Sequence, residues 1–215
     1  MLFGFLYYTS NKFSEDTEIM KIIIDSRENI AKKAAQRYVE LLSKKPDAIL
    51  GYATGSTPLD LYGELAKLNA EGKISFKDVT TFNLDEYVGL DGSHDQSYRY
   101  FMNTNLFSKV DIDLAKTNVP SGLDTSAETA AAYDKAIEAA GGIDIQLLGI
   151  GNNGHIGFNE PGTPFGSITH MVELTESTRE ANKRFFASID DVPTHAVTMG
   201  IKTVMNAKSI IIIAL

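Results

Sequence analysis

His155 and Glu160 stand five residues apart in GIGNNGHIGFNEPGT, residues 149–163, directly after the apolar run IDIQLLGI, 143–150. Imidazole is the side chain whose unperturbed pKa lies near neutrality, so a histidine on an accessible loop can give and take a proton, and a nearby carboxylate can orient it. Gly149, Gly151, Gly154 and Gly157 let the backbone turn tightly. A lone histidine is more often structural, but this loop offers little apolar surface to make His155 a core residue. A second stretch, Thr54, Gly55, Ser56, Thr57 and Pro58, follows AILGYA (48–53). Hydroxyls and free N–H groups at a helix start make an anion cradle suited to phosphate. The same residues also fit an ordinary strand–helix turn with hydroxyl caps, and without G-K-[ST] this is not a Walker loop. The third stretch places Asp85 and Glu86 after DVTTFNL (78–84). Strand alternation sends the two carboxylates to opposite sides, one toward a cleft and the other toward a cap or partner; a solvated acidic turn is the competing reading. An anion cradle, a carboxylate and a His/Glu pair together suit proton transfer on a small phosphorylated metabolite. A metal is the weaker reading, because His155, His170 and His195 are too scattered for ligand spacing, and no cofactor is called for.

These residues need elements to position them. From Met20 the pattern alternates strand and helix. KIIID reads as a buried strand, with Asp25 or Ser26 capping a helix that carries Ile30, Ala34, Tyr38 and Leu41 on one side. AILGYA is a second strand, followed by a helix with Leu61, Leu65 and Leu68. DVTTFNL is a third strand, and residues 97–107 look helical. Thr125 and Glu128 form a capping-box pattern before an alanine-rich helix that stops at Gly141 and Gly142. IDIQLLGI is a fourth strand. ESTREANKRFF (176–186) reads as a helix, HAVTM (195–199) as a strand, GIKTVMNA as a short helix and SIIIIAL as a last, fully buried strand. Such alternation predicts an α/β fold: an open, mostly parallel, Rossmann-like sheet with helices on both faces. In that architecture ligands bind beyond the C-terminal ends of the strands, where all three stretches fall.

With 215 residues and a net charge of −8 the chain fits one domain and offers no basic surface for nucleic acid. No cysteine is present, which excludes disulfides and a thiol nucleophile and fits a reducing cytoplasm. No apolar stretch reaches the roughly 18 residues of a membrane span. Residues 1–19, MLFGFLYYTSNKFSEDTEI, lack a basic n-region and a cleavage site. They are expected to be an N-terminal extension outside the fold, dispensable for stability, with a single domain over 20–215.

ATGSTPLDLY, FNLDEYVGL, QSYRYFM and GIGNNGHIGFNEPGT closely resemble the glucosamine-6-phosphate deaminase family, in register from about Met20 to the last residue. The likeness is nearer to the family's short form than to its long, allosterically regulated one. It implies a hydrolytic, isomerising deaminase of amino-sugar and N-acetylglucosamine catabolism, turning glucosamine 6-phosphate and water into fructose 6-phosphate and ammonia. By that resemblance Asp85 carries a proton from carbon 2 to carbon 1, His155 opens the pyranose ring, and Glu160 orients and tunes the imidazole. Asn153 stands where the long form has an aspartate; it can hydrogen-bond but not ionise, so its role is positioning. The substrate phosphate is expected on Thr54, Gly55, Ser56 and Thr57. Arg184, in NKRFF, matches the family arginine that grips the same phosphate; on its own it reads equally as a surface charge. Family members continue past SIIIIAL with a phosphate-binding lysine, a helix and a strand. The domain is therefore expected to lack its C-terminal part, to bind substrate weakly and to be less stable than a longer form.

Two other classes fit the fold. A plain aldose–ketose isomerase could use Asp85 on a sugar without the amine. A sugar-phosphate-sensing regulator domain would bind without turnover, but it calls for a basic DNA-binding module, and the leader carries only Lys12. The expected partner is a small amino-sugar phosphate, with no nucleic acid and no membrane; an oligomer is left open.

Overall fold

The alternation read from the sequence closes into a sheet in the computed structural model, which describes residues 3–9 and 20–215. Strands β1 (Phe3–Thr9) and β2 (Met20–Asp25) precede helix α1 (Arg27–Lys44), whose N-cap Ser26 accepts from the Asn29 N–H. Then come β3 (Ile49–Tyr52), α2 (Leu59–Ala70), β4 (Thr80–Asn83), β5 (Asp85–Tyr87) and α3 (Tyr98–Asn105). The chain continues through β6 (Thr117–Asn118), α4 (Ala127–Ala140), β7 (Ile145–Gly149), β8 (His170–Glu173) and α5 (Glu176–Asn182). It closes with β9 (His195–Thr198), α6 (Ile201–Met205) and β10 (Ser209–Ala214).

The main sheet runs β2-β1-β10-β7-β3-β4-β6, and β10, β7, β3, β4 and β6 pair in parallel. Alternate residues of each strand feed two cores on opposite faces. Leu50, Leu147, Ile211 and Ile213 pack with Ile30, Tyr38, Leu61 and Leu65 of α1 and α2, whereas Ile49, Leu148 and Ile210 pack with Ile137 of α4 and Val204 of α6. Each such buried side chain contributes about 1.5–3 kcal/mol of transfer free energy. This sandwich holds the C-terminal ends of β3, β4 and β7 in fixed relation.

The structure departs from the sequence expectations at several points. HAVTM is a strand, but it lies outside the main sheet: β9 sits between β5 and β8 in a small antiparallel sheet. The cap of α4 is Ser126, whose Oγ accepts from the Thr129 N–H, not Thr125. Phe3–Thr9, expected to stand apart, inserts as β1, antiparallel to both β2 and β10. β2 is thereby pushed to the sheet edge, and Met20, Ile22 and Ile24 are 55, 59 and 64% exposed where a buried strand was expected. A variant without residues 1–19 is therefore expected to melt roughly 5 °C lower or more. Because β2 and β10 run in the same direction, an unchanged melting temperature would mean that β2 can pair with β10 directly.

Candidate active site

Three strand ends meet at one cleft of about 290 Å³. At the end of β3 the chain turns through Thr54–Thr57 into α2, and Thr54, Gly55 and Thr57 line the cleft. Their N–H groups lie at the positive end of a three-turn helix, a setting that favours phosphate. Ser56 does not line the cleft; it borders an adjoining cavity of about 180 Å³ with Leu59, Phe101 and Phe185. Of the four loop residues expected around a phosphate, three face the site.

At the end of β4 the backbone passes into β5, and the two carboxylates separate as alternation requires. Asp85 faces the cleft, buried at 5% exposure. No side chain donates to it among the described residues, and burial, helped by the charge of Glu86, pushes its pKa up to about 8. Glu86 turns the other way and accepts from the N–H groups of Tyr87 (2.9 Å), Tyr98 (2.8 Å) and Arg99 (3.0 Å). It thereby ties β5 to the first turn of α3, which delivers Tyr98 to the cleft. The Tyr98 ring lies parallel to that of Phe158 and packs against Tyr87, and its hydroxyl interacts with those of Tyr87 and Thr54. One aromatic side chain thus touches all three strand ends.

At the end of β7 the loop folds back on itself, with the Gly151 N–H donating to the His155 carbonyl at 2.9 Å. The imidazole lies directly on Gly151, where a Cβ would come within 2.2 Å of the ring. Gly157, at φ +58°, lets the chain pass Asp85: a Cβ there would stand 3.2 Å from Oδ2. His155 Nδ1 is 2.7 Å from Asn153 Oδ1, and Asn153 Nδ2 donates to Glu160 Oε2 at 2.6 Å. An ionised carboxylate only accepts, so the amide nitrogen of Asn153 must face Glu160 and its oxygen must face the imidazole. Nδ1 then carries the proton, and Nε2 is left with its lone pair. Glu160 therefore reaches His155 through Asn153, a relay in which the asparagine positions both.

The fourth contribution comes from α5 and the turn that follows it. Arg184 lines the cleft, its guanidinium 4.7 Å from the Phe185 ring centroid, with no carboxylate partner among the described residues. Asn182 and Thr178 of α5 line the cleft as well. These two, with Tyr98 and Phe158, were missed from sequence. Tyr98 had one local signal, the helix start at Ser97 in QSYRYFM; Thr178 and Asn182 had none, because only the tertiary fold brings α5 to the loop. His170 and His195 bond to the Ile168 carbonyl and the Thr194 hydroxyl and do not line the cleft.

The family profile of glucosamine-6-phosphate isomerases/6-phosphogluconolactonase matches residues 25–215. A glucosamine-6-phosphate deaminase of Clostridium perfringens (strain 13 / Type A) is 54% identical over 194 residues, 90% of this chain and 80% of that protein. One from Bacillus pumilus (strain SAFR-032) is 50% identical, over 91% of this chain and 82% of its own. Among solved structures, a monomeric glucosamine-6-phosphate deaminase superposes with a TM-score of 0.82 at 44% identity, covering 85% of this chain and 76% of its own. A 6-phosphogluconolactonase from Thermotoga maritima, at 20% identity and a TM-score of 0.62, shares the fold. With the profile spanning nearly the whole domain and relatives above half identity, the chain belongs to the glucosamine-6-phosphate isomerase/6-phosphogluconolactonase family.

Proposed function

We propose that this chain is an isomerising deaminase that converts glucosamine 6-phosphate and water to fructose 6-phosphate and ammonia. The observation that carries the reading is one cleft holding a buried carboxylate, a relay-held histidine, a helix N-terminus and an arginine with no carboxylate partner among the described residues. The phosphate lies on Thr54, Gly55 and Thr57 and is gripped by Arg184. His155 Nε2 takes the proton of the anomeric hydroxyl and returns one to the ring oxygen as the C1–O5 bond breaks, giving the open-chain aldehyde. Asp85 then removes the proton from carbon 2. The electron pair forms the C1–C2 double bond of an enolamine, and the aldehyde oxygen picks up a proton. Asp85 returns its proton to carbon 1, the amine loses one, and an imine stands at carbon 2. Water adds to the imine, and ammonia leaves.

A neutral Asp85 cannot abstract a proton, so kcat/KM is set by the carboxylate fraction of the free enzyme. With its pKa at about 8, activity rises with pH through neutrality and levels off above that value. The cytoplasm is the compartment proposed for this chemistry. No helix among the described residues is long and apolar enough to cross a membrane.

The test is ammonia release from glucosamine 6-phosphate, with fructose 6-phosphate measured alongside. Equal amounts of both are expected. Isomerisation of an amine-free sugar phosphate without ammonia would replace the reading by an isomerase, and binding without turnover by a sensor domain. Arg184→Met is expected to raise KM about 10- to 100-fold with little change in kcat, because a charge-assisted phosphate contact made equally in ground and transition states is lost. Steady-state kinetics on the purified variant checks the split.

A further inference from the structure

Glu160 has two carboxylate oxygens, and only one of them serves the Asn153–His155 relay. The other, Oε1, is held by Thr178 Oγ1 at 3.1 Å, with Thr175 Oγ1 farther off at 3.4 Å. Thr175 is the N-cap of α5 and accepts from the Thr178 N–H at 3.2 Å. Its hydroxyl also points to Thr178 Oγ1, at 2.9 Å, so the Thr178 hydroxyl receives one hydrogen bond and gives its own proton to Glu160. α5 contains no buried residue. Its seat against the loop therefore depends on polar contacts, and Thr178 makes the shorter of its two hydroxyl contacts to Glu160.

We propose that Thr178 is a positioning residue for ring opening. By holding Oε1 it fixes the plane of the Glu160 carboxylate. That plane aims Oε2 at Asn153 Nδ2, the aimed amide presents Oδ1 to the imidazole, and His155 stays in the Nδ1–H tautomer with Nε2 free. Without the hydroxyl, Glu160 can rotate, Asn153 can flip, and the imidazole divides between two tautomers, only one of which accepts a proton from the anomeric hydroxyl. The proposal rests on the assignment of His155 to ring opening. It adds to that assignment a residue on a different element, 18 positions beyond Glu160 in sequence.

The experiment compares wild type, Thr178→Val and Thr178→Ser by ammonia release, with melting temperature as the folding control. Valine matches threonine in shape and lacks the hydroxyl. Thr178→Val is expected to lower kcat roughly tenfold, the worth of one hydrogen bond to a charged group, with KM within about twofold. Thr178→Ser is expected to recover most of the loss. In a Glu160→Gln background the valine change should cost much less than in wild type, because both act through the same carboxylate. The imidazole ¹⁵N shifts of His155 supply a readout that a purely structural role does not move: one tautomer in wild type, a mixture in Thr178→Val. Should Thr178→Val fold poorly, Thr178→Ser and Thr178→Ala are compared by the same ¹⁵N shifts. An unchanged kcat, an equal loss in Thr178→Ser, or a single tautomer in Thr178→Val overturns the proposal and leaves the deaminase reading standing. Absence of ammonia release from wild type overturns the deaminase reading instead.

Discussion

Asp85→Asn is expected to lower kcat by about 10²–10⁴-fold, the usual span for losing a general base, while binding of a non-reactive amino-sugar phosphate survives. The amide keeps the shape and burial of the carboxylate but cannot take the carbon-2 proton, and the proposed phosphate grip lies elsewhere in the cleft lining, on Thr54, Gly55, Thr57 and Arg184. The same variant should gain stability, in a pH-dependent way. Folding raises the Asp85 pKa from 3.8 to about 8, through burial first and the Glu86 charge second. Below about pH 4 the group is protonated in folded and unfolded chains alike and costs nothing. As pH rises toward 8 the unfolded chain releases the proton and the folded one retains it, so wild type loses stability across that window. Asp85→Asn does not titrate. It is expected to match wild type near pH 4 and to melt several degrees higher at pH 8–9, a difference on the order of a few kcal/mol. As the proposed base, a buried Asp85 thus lowers stability to gain reactivity. Thermal unfolding of both proteins across pH checks the sign, and near-normal turnover would remove Asp85 from its role.

Much of this site could be read from local sequence, and the rest could not for identifiable reasons. Asp85 and Glu86 were expected on opposite sides because strand geometry leaves no other arrangement, and Glu86 does cap a helix. The TGSTP turn and the glycine loop were legible because a buried strand must end in something, and these residue types tolerate open backbone. Ser56 turning out of the cleft was not legible, because it depends on the path of α2. That Ser126 and not Thr125 caps α4 was illegible for a similar reason: two adjacent hydroxyls each precede a partner by three residues, and only the chain's approach decides. The small sheet of β5, β9 and β8 joins β9 to β5, a segment more than 100 residues earlier, as well as to the nearer β8, pairings that short amphipathic strands do not announce. The relay was half legible. His155, Asn153 and Glu160 lie within eight residues of one another, but their order of contact follows from the turn at Gly151 and Gly154.

His155→Gln is expected to reduce kcat by about 10²–10⁴-fold for a different reason, and the two losses can be told apart. Glutamine can hydrogen-bond to Asn153 but cannot relay a proton from the anomeric hydroxyl to the ring oxygen. The pyranose still opens slowly in water, so a small supply of open-chain aldehyde reaches Asp85, which remains intact. Ring opening then limits turnover, and everything after it is fast by comparison. Deuterium at carbon 2 reports on this order of steps. If proton abstraction is partly limiting in wild type, [2-²H]glucosamine 6-phosphate reacts more slowly than the protiated sugar. In His155→Gln that isotope effect should fall toward 1, because the labelled bond breaks after the slow step. A variant in which Asp85 is weakened should show the opposite, an isotope effect equal to or larger than that of wild type. An isotope effect that grows in His155→Gln would place the imidazole at the carbon-2 proton transfer, and the division of labour between the loop after β7 and the end of β4 would have to be reversed.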